Sequence, residues 1–236
     1  MRLIRIGFHV LSGLWMLYRV KKPDDLATRQ AGIMSWCARM LSILGVERKL
    51  VTNLPTKPSL IVANHLSWLD ILVLGSLIPV RFLSKDEVRR LPIIGRLAAG
   101  ARTLFIKRGD RSSAEKAITE IEKVLRSEEF VVIFPEGTST HGPMPSRFKG
   151  RLIDAARRAG VAVCPVAIYY SGPGKEFAPY AGNDELGPHM RKLVTAPPIS
   201  ARVSVGELIS PDQMTLLIAR AAQSSIEKML RHLMIK

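Results

Sequence analysis

The stretch Ile61 to Ile71, Ile-Val-Ala-Asn-His-Leu-Ser-Trp-Leu-Asp-Ile, sets a histidine and an aspartate at the rim of two apolar runs. An imidazole titrates near neutral pH and can take the proton of a hydroxyl. A carboxylate behind it would fix its tautomer and stabilise the imidazolium. On one ideal helix the five-residue spacing of His65 and Asp70 turns through roughly 500°, so the side chains would point to different faces. They can meet only across a turn. A strand ending near Ala63, a bend through Asn64 to Leu66 and a helix after Ser67 would bring them together. Ser67 is a good N-cap with an acid three residues on. The same residues also allow a plainer reading, in which Asp70 is only the acid of a capping box and His65 only a hydrogen-bonded turn residue.

Two further stretches carry chemical groups. In Phe130 to Thr140 an apolar run ends in Pro135-Glu136-Gly137-Thr138. Glu136 thus falls at the carboxyl end of a strand, where ligands gather in α/β sheets, and Gly137 lets backbone approach a ligand closely. In Thr103 to Arg111 the cations Lys107, Arg108 and Arg111 leave a strand just before a helix, a sound site for an anion. Solvated side chains at strand ends are the simpler alternative for both. A single histidine with two distant carboxylates makes no compact ligand set, so no metal is expected.

The elements that must position these groups are readable from periodicity. Leu60 to Ala63, Arg81 to Ser84, Thr103 to Ile106, Phe130 to Phe134, Val161 to Tyr169 and Arg202 to Val205 read as strands. Helices are expected between them: one after Ser112, with Glu115 at the capping-box position, and a last one starting at Ser210, Pro211 and Gln213 and carrying Leu217, Ala221 and Leu233. Strands alternating with helices argue an α/β fold, a mixed central sheet flanked by helices. The segment Gly172 to Pro188, with four Gly and three Pro, reads as an irregular loop.

The chain has 236 residues and a formal charge of +15, from 35 Lys and Arg against 20 Asp and Glu, which implies attraction to polyanions. No helix-turn-helix, zinc or RNP pattern accompanies that charge, so no nucleic acid is expected. Between Arg5 and Arg19 lie 13 residues, too few for a spanning helix. Arg2, Arg5, His9, Ser12, Met16 and Arg19 recur at helical spacing opposite Leu3, Ile4, Ile6, Leu11, Leu14, Leu17 and Tyr18. That pattern suits a helix lying in an anionic membrane surface, ended by Lys21, Lys22 and Pro23. A second helix carries Arg29, Gly32, Ser35, Arg39 and Ser42 on a narrow polar stripe; packing on the core explains it as well as a membrane does. Residues 1–46 are therefore expected to form an amphipathic two-helix membrane-binding segment, and residues 47–236 the α/β domain. Cys37 and Cys164, far apart and in apolar runs, read as core residues of a reducing compartment.

Taken in order, His65-x4-Asp70, Phe105-Ile106-Lys107-Arg108, Phe134-Pro135-Glu136-Gly137-Thr138 and Val163-Cys164-Pro165-Val166 resemble the four blocks of the PlsC-like glycerolipid acyltransferase family, the 1-acylglycerol-3-phosphate acyltransferases. The resemblance covers about residues 60 to 170, and the two N-terminal helices look like that family's membrane-seating hairpin. It implies transfer of a fatty acyl group from acyl-CoA or an acyl carrier protein, as co-substrate, to the free hydroxyl of a lysophospholipid, giving phosphatidic acid. No cofactor is implied. His65 would be the general base and Asp70 its orienting carboxylate. Lys85, in Phe-Leu-Ser-Lys-Asp-Glu at the end of the next strand, is the candidate for the cation facing the thioester oxyanion, with a solvated surface lysine as the rival reading. Arg108 and Lys107 would bind the acceptor phosphate, with Glu136, Gly137 and Thr138 lining the acceptor pocket. The place implied is the cytoplasmic face of the inner membrane. One departure stands out: many family members carry Arg after Glu-Gly-Thr, and this chain has Ser139. That leaves room for another acceptor such as a lyso-ornithine lipid, with Arg147, Lys149 and Arg151 as nearby cations. A non-catalytic lipid-binding protein is the alternative of another class.

Overall fold

A computed structural model describes residues 1–19, 26–107 and 111–235. In chain order the elements are α1 (Arg2–Arg19), α2 (Leu26–Leu44), β1 (Val46–Leu50), β2 (Leu60–Ala63), α3 (Leu69–Leu77), β3 (Val80–Lys85), α4 (Asp86–Arg89) and α5 (Ile94–Gly100). There follow β4 (Leu104–Ile106), α6 (Arg111–Arg126), β5 (Phe130–Ile133), α7 (Asp154–Ala159), β6 (Val163–Ser171), α8 (Leu186–Thr195), β7 (Ile199–Val205) and α9 (Thr215–Ile235). The strands form one seven-stranded sheet in the order β1-β7-β6-β2-β5-β3-β4. Every neighbouring pair is parallel except β6 and β7, which run antiparallel, so the sheet is mixed as expected.

Leu60 to Ala63, Val131 to Ile133 and Val163 to Ile168 are unbroken apolar runs because β2, β5 and β6 are covered on both faces. Ile61, Ala63, Val132, Cys164, Val166, Ile168 and Tyr170 pack in one layer with α2 and α3. Leu60, Val62, Val131, Ile133, Val163 and Ala167 pack in the other with α6, α7 and α9. Since β6, β2, β5, β3 and β4 are all mutually parallel, their carboxyl ends meet along one edge of the sheet. His65, Glu136, Lys85 and Lys107 all follow or end strands at that edge.

Three parts differ from the sequence expectation. β1 is an edge strand whose Val46 alone is buried; Glu47, Arg48 and Lys49 hide its apolar signal while guarding the open edge against pairing with another chain. The expected loop Gly172 to Pro188 runs into α8, where Pro188 occupies the first turn and its missing N–H leaves no helix bond unmade. The last helix starts at Thr215, not near Ser210, because the Ser210 hydroxyl is tied to Asp212 Oδ2 at 2.6 Å in a turn. Its core face is Ile218, Ala222, Ile226, Leu230 and Leu233, whereas Leu217 and Ala221 are exposed.

The N-terminal pair of helices is partly built into the fold. The last turns of α2 bury Cys37, Met40, Leu41, Ile43 and Leu44. On α1 the polar stripe does not face solvent throughout: His9 is buried, stacks on Trp36 at 4.8 Å and bonds its carbonyl through Nε2 at 2.9 Å. The Arg2 guanidinium bonds the carbonyls of Val194 and Ala196 at the end of α8. The helix ending expected at Lys21, Lys22 and Pro23 lies outside the described residues. What α1 leaves uncovered is Leu3, Ile4, Phe8, Leu11, Trp15 and Tyr18, all more than half exposed. Among the described residues no helix is long and apolar enough to cross a membrane. Replacing Phe8 and Trp15 together by Ser should leave the thermal transition in place and reduce co-sedimentation with anionic vesicles about tenfold or more, by the apolar area withdrawn from the lipid.

Candidate active site

β2 is followed by Asn64, whose side-chain amide both donates to the Ile168 carbonyl at 2.9 Å and accepts the Ile168 N–H at 2.8 Å. This fastens the end of β2 to β6 and lets the chain turn through residues 65 to 68 into α3. Asp70 sits in the first turn of that helix, where the N-terminal backbone dipoles favour a negative charge. It is fully buried. Its Oδ2 accepts the backbone N–H groups of Leu66 and Ser67, each at 2.8 Å, and the Nδ1 of His65 at 2.8 Å. Its Oδ1 accepts the Tyr170 hydroxyl at 2.6 Å. One carboxylate therefore supplies the acid's half of a capping box, on the Ser67 N–H, and also orients the histidine. Ser67 supplies no side-chain cap; its hydroxyl instead accepts the Leu69 N–H at 3.3 Å.

An ionised carboxylate only accepts, so the His65 proton resides on Nδ1 and Nε2 is left with its lone pair. Among the described residues no group bonds that Nε2, and the side chain remains 19% exposed. The ring stacks on Phe134 with centroids 4.0 Å apart. The loop after β5 then closes around the His65 peptide. Glu136 Oε1 accepts the His65 N–H at 2.7 Å, and the Thr140 N–H donates to the His65 carbonyl at 2.9 Å. Glu136 Oε2 accepts both the N–H and the hydroxyl of Ser146, at 2.7 and 2.9 Å. Glu136 is 3% exposed and both of its oxygens are engaged, so it holds the histidine's backbone and is not an open wall of a pocket. Gly137 turns the loop at φ +82°, a conformation that suits glycine. Thr138 is exposed beside it.

Lys85 and Lys107 end β3 and follow β4 at the same edge, both exposed and outside this hydrogen-bond network. Arg108 lies outside the described residues. β3 stands two strands from β2, about 10 Å across the sheet. Among the described residues no three His, Cys, Asp or Glu side chains are grouped to hold a metal. Cys37 and Cys164 are buried, and burial pushes both thiols up to about 12, far from a reactive thiolate at neutral pH.

Sequence reasoning missed Tyr170, Ser146 and His189. Tyr170 could have been suspected, because a phenol at the end of a buried strand needs a partner, although its sequence does not name one. Burial, and after it the charge and hydrogen bond of Asp70, hold its hydroxyl well above the usual tyrosine range. His189 on α8 accepts the Trp68 indole N–H through Nδ1 at 3.0 Å and donates through Nε2 to the Pro179 carbonyl at 3.0 Å. It thereby pins the turn between His65 and Asp70. Burial pushes the His189 pKa below its ordinary value, against an upward pull from the Pro179 carbonyl. The unfolded histidine binds its proton near pH 6.5 while the folded one still resists it, so stability is lost as pH falls below about 6.5. His189→Gln, which does not titrate, should show a smaller fall of melting temperature between pH 7 and pH 5 than the parent protein.

The profile of the family described as Acyltransferase matches residues 30–169, more than half of the chain, including His65, Asp70, Glu136 and Ser146 but not Tyr170 or His189. The chain belongs to the acyltransferase family. Among its relatives, a lyso-ornithine lipid O-acyltransferase of Pseudomonas aeruginosa is 37% identical over 95% of this chain and 88% of its own length. Another of the same name from Brucella abortus is 34% identical over 74% of this chain and 72% of its own. A 1-acyl-sn-glycerol-3-phosphate acyltransferase of Neisseria meningitidis is 30% identical over 64% of this chain and 60% of its own. In fold, this acyltransferase is similar to the crystal structure of the 1-acyl-sn-glycerophosphate (LPA) acyltransferase PlsC from Thermotoga maritima, with a TM-score of 0.72, 20% identity, and coverage of 100% of this chain and 99% of that one.

Proposed function

We propose that this acyltransferase moves a fatty acyl group from a thioester of coenzyme A or acyl carrier protein to the free hydroxyl of a lysolipid held in a membrane surface, with His65 as general base. The observation that carries this reading is the His65 Nδ1 to Asp70 Oδ2 bond of 2.8 Å, with Nε2 unbonded among the described residues. Nε2 takes the hydroxyl proton while the acceptor oxygen attacks the thioester carbonyl. The new C–O bond forms, the carbonyl electrons move to oxygen, and Lys85 faces that oxyanion across the sheet edge; a preorganised donor there is worth roughly 3 kcal/mol. Collapse breaks the C–S bond, and the departing sulfur takes the proton from Nε2. Asp70 stays ionised throughout, stabilising the imidazolium. The nucleophile belongs to the substrate, so no acyl-enzyme is formed, in keeping with two buried, protonated thiols. Lys107 and Arg108, following β4, serve the acceptor's anionic group. The uncovered face of α1 seats the protein on an anionic membrane, at its cytoplasmic side.

For the acceptor, lyso-ornithine lipid ranks above lysophosphatidate. The Pseudomonas and Brucella relatives, which match most of this chain, bear that substrate in their names, and Ser139 leaves the Glu-Gly-Thr loop without a cation of its own. Lysophosphatidate is the second reading, favoured by the Neisseria relative. Both acceptors at equal concentration in one vesicle preparation compete for one acyl donor; product masses should favour the acylated ornithine lipid. A dominant phosphatidic acid product would reverse the order.

A further inference from the structure

Beyond the acid-base pair, a cation among the described residues, Lys149, stands at the loop that closes on His65. Lys149 is tied to that loop through its backbone, its N–H donating to the Pro135 carbonyl at 2.9 Å. The neighbouring Phe148 N–H is held by Gln223 of α9 at 3.0 Å, so the segment has a fixed register. Its side chain folds over Gly137, with Nζ 3.1 Å from where a Cβ on Gly137 would stand. Gly137 thus does two things, adopting φ +82° and leaving open the space that the ammonium overlies.

Glu136, the adjacent carboxylate, already receives His65 and Ser146 on its two oxygens and is turned inward. Among the described residues no carboxylate lies within ion-pair distance of Lys149. The loop Glu136-Gly137-Thr138-Ser139-Thr140 brings no positive charge itself. A cation with no carboxylate partner among the described residues, over a loop whose Glu136 side chain and Thr140 N–H hold the two sides of the His65 peptide, is a place for an anion that arrives with the substrate.

We infer that Lys149 binds the anionic group of the acceptor, the carboxylate of an ornithine headgroup or a phosphate, and so aims the acceptor's hydroxyl at His65 Nε2. This rests on the acyl-transfer reading for the hydroxyl, but the anion contact can be read without chemistry. Arginine would keep the charge and add a second donor; alanine would leave an uncharged gap over Gly137.

The test uses full-length protein with Lys149→Ala and Lys149→Arg. Calorimetric titration with short-chain lyso-ornithine lipid and short-chain lysophosphatidate should show about tenfold or greater weakening for Lys149→Ala, the loss of one charge-assisted hydrogen bond, and recovery of most of it in Lys149→Arg. In turnover assays the same loss should appear in the acceptor KM and not in the acyl-donor KM, and it should be smaller with monoacylglycerol, which carries no anion. Equal binding by the parent protein and Lys149→Ala overturns the inference, as does an equal loss with charged and uncharged acceptors. Lys149-dependent binding with no thiol release from any donor would instead defeat the acyl-transfer reading and leave the anion site standing.

Discussion

His65→Ala should lower thiol release from acyl-CoA or acyl carrier protein, measured with saturating lysolipid, by about a thousandfold or more. The expectation follows from the position of the ring. Among the described residues at the turn, Nε2 carries the lone pair left unbonded, since Asp70 is buried behind four donors and Glu136 is saturated by His65 and Ser146. The fold should survive. Truncation removes the stack on Phe134, but Asp70 keeps Tyr170 and the two backbone N–H groups, and the His65 peptide keeps its bonds to Glu136 and Thr140. A drop in rate with an intact thermal transition is therefore the signature of a lost base and not of a lost turn.

Asp70→Asn should be worse for the molecule as a whole. Every hydrogen bond to Asp70 in this structure comes from a donor, so the amide nitrogen of asparagine must face either Tyr170 or the cluster of His65, Leu66 and Ser67. At a fully buried position that mismatch costs about 3 kcal/mol or more, and it invites the opposite tautomer of His65, with the proton on the nitrogen that should act as base. Activity should fall by about a thousandfold, as in the His65 variant, and unlike that variant the melting temperature should drop by several degrees. Tyr170→Phe separates the two effects: it removes one donor, keeps the tautomer, and should cost far less activity. Equal rates for Asp70→Asn and the parent protein would leave Asp70 as a helix cap alone.

Much of the site was legible because its parts sit on strong local signals. β2, β5 and β6 are buried on both faces, which makes unbroken apolar runs, and His65 and Glu136 mark where two of those runs reach the sheet edge. The turn before α3 was legible through Ser67 and Asp70, although the sequence posed capping and orientation as alternatives when one oxygen, Asp70 Oδ2, serves both. Glu136 was expected to meet the substrate and instead holds the His65 backbone, because its partners Ser146 and His65 come together only after β5 pairs beside β2. Tyr170 and His189 are distant in sequence from the groups they approach, and nothing in their local pattern names those groups; Lys149 was legible as one of the cations after the Glu-Gly-Thr loop, but not as the one whose side chain lies over Gly137. β1 and α8 were hidden for an opposite reason: charge on an edge strand and proline in a first helical turn both imitate loop.

The central claim is that a lysolipid hydroxyl, made nucleophilic by His65, takes the acyl group directly from a thioester. The most direct measurement supplies acyl-CoA and acyl carrier protein donors in turn with lyso-ornithine lipid, lysophosphatidate and neutral lysolipids in anionic vesicles, reading thiol release, product mass and the intact mass of the protein together. The account predicts one acylated lysolipid for each thiol released, with no acyl adduct on the protein. Vesicle binding without turnover for every pair, thiol release without an acylated lipid, or an acylated protein on the way to product would contradict it.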